Sequence, residues 1–520
     1  MRQKTAKIIL LCSFCCVRFA GATIFNSNGS SSDVQAKINL ATNGDTVTLP
    51  AGSFTWSAGI NVSGKAIKIQ GAGSGRVIGR SASSVSVGTG SKTFTTQSGL
   101  PISNGQTLKV ERTGTVVSGG SATGTRAYMV GNVTSYSGST LTMNVTSVSG
   151  SGTHSVWMIS TMPTTTVVHS AGSSTLVNLT EATGGNVDFS GIFFSAASAG
   201  TVVKLNRTSN GKPMLVHDCY FENLDSGSVN GVIRADTNRG VIWNCSFPSL
   251  PFADARLAIH HIDCPTDSWT TPANWGSSDS DGTHSLYVED CDFHAWRNAT
   301  DFDNNSRSVM RHCLMNNAGL GTHGADTSSY GQRYFELYDS EFAYNGFGNG
   351  QTLPTNWWFF IRGGTFIVTD CIIPLMDSSD YPNKPTWRII VMNLQRSAGP
   401  NPCWGANIPG IQYPSPRQAG MGRVTGTAGN DSVTYKGDSE PIYLWNNTGT
   451  GAHRVALDDY GGSECTNPDS TASYVVSGRD YFDGTAKPGY QKYQYPHPLH
   501  SGSAPVAPQN LHLVSPTPTP

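Results

Sequence analysis

Charge is what this 520-residue chain has least of. Asp, Glu, Lys and Arg make up 13% of it, about half of ordinary usage, and the net charge is -1. So sparse and balanced a charge argues against nucleic acid or an anionic bilayer as a partner, because both are recognised through a positive field. A polyanion would need a local basic patch. No lysine lies between Lys212 and Lys384, so any cationic base in that stretch must be arginine. Long apolar runs are also missing. The longest, residues 8–17, is too short to span a bilayer comfortably, so no stable membrane insertion is expected. That run follows Arg2, Lys4 and Lys7 and precedes Phe19-Ala20-Gly21-Ala22. This is the order of a signal peptide over residues 1–22, with a secreted or cell-surface destination. What the chain has in quantity is glycine, 58 residues, with dense Ser, Thr and Asn, the profile of a β-rich protein with many tight turns.

A short pattern, apolar-x-x-Cys-x-Phe, recurs along the middle of the chain. It reads Val216 to Phe221, Ile242 to Phe247, Val288 to Phe293, Met310 to Met315, Leu337 to Phe342 and Val368 to Ile373, with a degenerate copy at Phe189 to Phe194. Fixed apolar slots among variable ones mark a solenoid, in which each coil stacks the same inward positions on the coil below. Offsets -3, 0 and +2 from the cysteine slot then point inward. Offsets -2 and +1 form two outward, exposed columns. The first is His217, Trp243, Glu289, Arg311, Tyr338 and Thr369. The second is Tyr220, Ser246, Asp292, Leu314, Glu341 and Ile372.

Five of the 11 cysteines occupy that slot, and three lie in the leader. In an exported protein, cysteines usually signal disulfides. Stacked on successive rungs ~4.8 Å apart, these are expected instead to be a reduced interior ladder of small hydrophobes. Cys403 with Cys465 is the one pair expected to bridge. The step from Cys245 to Cys291 is about twenty residues longer than its neighbours. That places a long excursion between residues 250 and 284.

Residues 31–41 read as a short capped amphipathic helix. They are followed by Asn43-Gly44-Asp45-Thr46-Val47-Thr48-Leu49-Pro50-Ala51-Gly52 and by the strands 60–62 and 67–73. This stretch resembles the start of right-handed parallel β-helix proteins of the pectate-lyase-like superfamily, and the rungs from 187 to 374 are similar too. Segments 131–138 and 148–154 resemble small β modules of phage tail and surface proteins. The resemblance, to an uncharacterised bacterial secreted branch, implies an all-β chain: a right-handed parallel β-helix with an N-terminal helical cap and an inserted small β module. The expected divisions are a leader (1–22), cap and first coils (23–90), β-rich insertion (91–160), regular coils (161–376), loop-rich closure (377–503) and a Pro-rich tail (504–520).

Such folds commonly act on polysaccharides along a strand face, so an extracellular polysaccharide is the expected partner. Three readings stay open. The first is a Ca²⁺-assisted uronate lyase, as the resemblance implies, with Arg311 or Arg333 as base or carboxylate clamp. His323 and Asp326 would assist from a loop similar to one in related bacterial chains. Ca²⁺ would bind the oxygen-rich runs containing Asp279, Asp281, Asp301 and Asp303, which read equally as turn formers. The second is an inverting hydrolase. Asp292 and Glu341 share a column two rungs apart, ~9.6 Å by strand spacing, near the separation that leaves room for a water. They read equally as solvated acids. The third is a glycan-binding solenoid without catalysis. Trp269, Trp275, Trp296, Trp357 and Trp358 could stack on sugar rings. The chain lacks the catalytic-strand motif of pectate lyases and the Asp-rich signature of polygalacturonases.

Overall fold

A computed structural model describes residues 21–112, 115–116, 122–123, 127–155, 157–162, 165–170, 175–197, 201–223, 231–248, 257–262, 264, 269–275, 279–294, 296, 298–316, 318–322, 331–343, 358–373, 389–391, 419–424, 437–449, 455–457 and 475–500. The leader over 1–20, the Cys403 and Cys465 pair, Trp357, His323, Asp326 and the Pro-rich tail lie outside the described residues.

Three long parallel sheets run the length of a right-handed β-helix. Sheet A has 12 strands, sheet B 8 and sheet C 10. A regular coil visits them in that order, as in Met214–His217, Tyr220–Asn223 and Ile233–Asp236. The helix Ser31–Leu40 buries Val34 and Ile38 against the first coil. Its N-cap Ser30 accepts a hydrogen bond from the Asp33 N–H, which satisfies an otherwise orphaned donor.

The repeat follows from two local demands. Its inward slots build the core: Val216, Cys219 and Phe221, with their counterparts on later rungs, are buried in one cluster. Phe194, Phe221, Phe247 and Phe293 stack nearly parallel, with centroids 5.3, 5.0 and 4.8 Å apart. The slot before the cysteine turns the chain from sheet A to sheet B. Asp218, Asn244, Asp290, His312, Asp339, Asp370 and Asn446 all sit there with φ between 50° and 56°. Asp and Asn tolerate this left-handed backbone better than other side chains, and Gly191 takes the same place in the degenerate copy with φ 74°. The cysteines at 219, 245, 291, 313 and 371 are buried and outside any disulfide, so the interior ladder is reduced.

The insertion leaves the helix at one such turn, between the sheet A strand Lys68–Gln70 and the sheet B strand Thr166–Ser170. It forms a six-stranded antiparallel sheet, from Val77–Ser81 to Trp157–Thr161 at its two chain ends, so it begins ahead of the expected residue 91 and takes in residues assigned to the first coils. Phe94, Leu108, Val110, Met129, Leu141, Met143, Trp157 and Ile159 give it a core of its own.

Candidate functional site

The two columns flanking the cysteine slot point away from the lumen, but neither is open along its length. Sheet A is crossed by residues 490–500, a strap that descends the rungs as the chain proceeds. The Tyr490 hydroxyl donates to Glu336 (2.7 Å), and Lys492 bridges Asp339 and Asp370 (2.7 Å each). Arg311 then donates to the carbonyls of Tyr493 (3.0 Å) and Gln494 (2.8 Å). The Tyr495 hydroxyl donates to Asp290 (2.6 Å), and the His497 N–H donates to Glu289 (3.1 Å). His500 stacks on Trp243 with centroids 4.5 Å apart. His217, Trp243, Glu289, Arg311, Tyr338 and Thr369 are therefore buried, which corrects the exposed column read from the repeat. The repeat gives a side chain's direction; it carries no information about a covering segment some two hundred residues away.

Arg311 is the centre of this closure. Its guanidinium lies 5.3–5.7 Å from the rings of Tyr287, Tyr338, Tyr493 and Tyr495, pairs with Glu289 and donates to the Tyr338 hydroxyl. Burial disfavours its charge, but Glu289 and Tyr338 outweigh that and raise its pKa, which removes the character of a base. Arg333 is also fully buried. It pairs with Glu440 (2.7 Å), donates to the Thr271 carbonyl (3.0 Å) and lies over Trp269. With Arg307, which donates to the carbonyls of Thr271 and Pro272, it pins the long excursion between sheets C and A. Both arginines expected as base or clamp thus hold the fold together in this structure.

Sheet B is covered on its early rungs by the inserted module. Arg76 reaches Asp292 (3.3 Å) and the Asn244 amide oxygen. Arg80 meets His294, and Lys109 pairs with Glu111 and Glu222. Asp292 is further held by His294 and the Ser246 hydroxyl, both at 2.7 Å. Asp292, Leu314 and Glu341 do share one column, rung on rung. The column opens as it rises: Leu314 is buried, Glu341 half-buried and Ile372 43% exposed. Burial pushes the Glu341 carboxyl up to about 7.

Asp279 and Asp281 make a turn that does not fit Ca²⁺. The oxygens of Asp279 accept from the N–H groups of Thr283, His284 and Ser285 and face the His284 ring, and Asp281 accepts from the Thr283 hydroxyl. Ca²⁺ takes about six to eight oxygens, whereas this loop offers two carboxylates, one already saturated. Asp301, in the sheet C strand Asn298–Phe302, and Asp303, just beyond it, are both buried, and Asp303 accepts from the Asn304 N–H (2.7 Å). The tryptophans at 269, 296 and 358 are core residues rather than sugar platforms; Trp275 is half-buried beneath Lys487.

Sheet C carries the remaining outward column. In register it reads Asn61, Asn178, Lys204, Arg234, His260 and Asp301, of which His260 and Asp301 are buried. Beside it run Thr180, Asn206 and Asp236. Amides hydrogen-bond along the stack, Asn206 to Asn178 (2.5 Å) and Asn178 to Asn61 (3.3 Å). Asp236 joins Arg234 (2.8 Å) and Lys204 (3.2 Å), whose side chains keep 21% and 33% of their surface in solvent. This column lies outside the cysteine frame. Its signal was the period-two alternation of Val203-Lys204-Leu205-Asn206 and Ile233-Arg234-Ala235-Asp236, in which every second residue is polar.

No protein-family model and no curated protein matches the chain. Among solved structures it is similar to three phage tailspikes. The Gp54 tailspike of Acinetobacter baumannii bacteriophage AP22, solved with A. baumannii capsular saccharide, is 15% identical over 67% of this chain, with TM-score 0.19. The tailspike gp49 from Pseudomonas phage LKA1 is 12% identical over 83%, with TM-score 0.16, and the tailspike gp61 of Pseudomonas phage phi297 is 13% identical over 66%, with TM-score 0.17. The chain spans 51% of the first of these proteins and 66% of each of the others. At these identities and TM-scores nothing about function follows, and the architecture rests on the strand register itself. No helix among the described residues is long and apolar enough to cross a membrane.

Proposed function

We propose that this protein is an exported glycan-binding β-helix of the pectate-lyase-like superfamily, which lays an extended, uronate-bearing polysaccharide along sheet C. The observation that supports this most is the register of Lys204 and Arg234, both partly exposed. They place an ammonium and a guanidinium on consecutive rungs ~4.8 Å apart, flanked by an amide ladder, while His260 on the next rung is buried. A regular polymer meets such a surface with one polar group per repeat, and the cations answer the local basic patch that a near-neutral chain needs for a polyanion. The chemistry of an acid–base lyase is not part of this reading, because Arg311 and Arg333 are committed to internal partners.

The test is incubation with acidic and neutral polysaccharides, with and without chelator, reading retained complex, unsaturated-uronate absorbance and new reducing ends. Retention of an acidic polymer is the expected result; retention of none overturns the proposal.

A second reading has its own observation. Glu341 holds its proton near neutrality, as a general acid must, and stands two rungs above Asp292. If reducing ends appear, Glu341→Gln should lower their rate at least ~100-fold while binding persists. An unchanged rate removes Glu341 from the chemistry.

A further inference from the structure

Where the strap meets sheet A, three potential ligands converge. One donor atom each from Glu289, Asp290 and His500 lies within 4.8 Å of the other two. Glu289 and Asp290 are fully buried. Each carboxylate has one oxygen anchored from outside the cluster and one turned to other use. Glu289 gives Oε1 to Arg311, while Oε2 accepts the His497 N–H and stands 2.7 Å from His500 Nε2. Asp290 gives Oδ1 to the Tyr495 hydroxyl, while its buried Oδ2 has no hydrogen-bond partner. A buried carboxylate oxygen without a donor costs free energy that folded proteins seldom leave uncompensated. His500 is fixed in plane by stacking on Trp243, which itself stacks on His217.

We propose that Glu289, Asp290 and His500 form a zinc-class divalent metal site that clips the C-terminal strap to the β-helix. One imidazole and two carboxylates suit zinc, which takes nitrogen and oxygen ligands in fourfold coordination, with a water completing the set. They do not suit Ca²⁺, which requires more oxygens. Arg311 and Tyr495 act as positioning residues: each holds the far oxygen of a ligand, as outer partners of metal sites do. Binding would use ionised carboxylates, so metal uptake weakens on acidification. The site ties together residues more than two hundred positions apart in the chain, which gives it a structural role and asks for no catalysis.

The test uses the whole chain, stripped with chelator and titrated with zinc, then with cobalt. One zinc per chain by elemental analysis is expected, with a rise in thermal midpoint and, for cobalt, visible absorption bands of four-coordinate strength. Asp290→Asn and His500→Gln should abolish stoichiometric binding. Tyr495→Phe, which removes one hydroxyl and leaves every proposed ligand, should weaken it ~10- to 100-fold. Asp281→Asn, in the exposed turn of the other Asp/His cluster, should bind as the parent does. The proposal is overturned if the parent binds no stoichiometric zinc, if the Asp290 and His500 variants bind it undiminished, or if Asp281→Asn is the variant that loses it.

Discussion

At the scale of the residue, the turn from sheet A to sheet B rests on backbone conformation more than on any contact. Asn446 shows this best, because it is exposed and has φ 52°. A β-branched side chain there meets its own backbone, so Asn446→Val should destabilise by about 1–3 kcal/mol, while Asn446→Gly stays near neutral. Denaturant unfolding of the pair decides it; equal stabilities would mean that the turn does not select its residue. His217 tests the buried charge on sheet A. Burial works against its protonation, but hydrogen bonds to Asp188 (3.0 Å) and Asp218 (2.7 Å) prevail and raise its pKa from 6.5 to about 9. A raised folded-state value means stabilisation that is complete below about 6.5 and is lost as pH climbs through about 9. The parent should therefore weaken across that window relative to His217→Gln in urea melts, and parallel curves would contradict the assignment.

Elements were legible in the sequence where they repeat and illegible where they dock. The inward slots, the reduced cysteine ladder, the helical cap and the inserted module follow from periodicity, turn chemistry and resemblance. The Asp or Asn before most of the cysteines carries the left-handed turn in plain view, beside the apolar slots that define the repeat. The strap and the underside of the module have no period. Their contacts are single polar anchors, such as Arg76 to Asn244 and Arg311 to the carbonyls of Tyr493 and Gln494, and nothing local in the sequence pairs them. Hence Arg311, Asp292 and Glu289 were read as surface groups. Arg311→Ala removes the cation from buried Glu289 and from the strap together, and should cost about 3–5 kcal/mol. Limited proteolysis within residues 484–500 should accelerate in step. Unaltered cleavage and stability would show that the strap is held by other means.

Across the whole molecule, the three faces of the solenoid have different fates. Sheet A is closed by the chain's own C-terminal strap and sheet B, on its early rungs, by the inserted module, so the expectation of an exposed working face passes to sheet C. There the sequence marks Asp301 and Asp303, both buried, as candidate ligands, but it does not single out Lys204 and Arg234, because the cysteine repeat belongs to another corner of the coil. The most direct measurement is the affinity of the chain for an acidic polysaccharide it retains, compared with that of Lys204→Ala/Arg234→Ala at fixed salt. Lys492→Ala serves as a control that removes a cation from the strap side. Loss of two charge-assisted contacts of about 1.5–3 kcal/mol each predicts a complex at least ~100-fold weaker for the sheet C variant and little change for the control. Equal affinity of the sheet C variant and the parent, or a larger loss in the control, would contradict the placement of the glycan on sheet C.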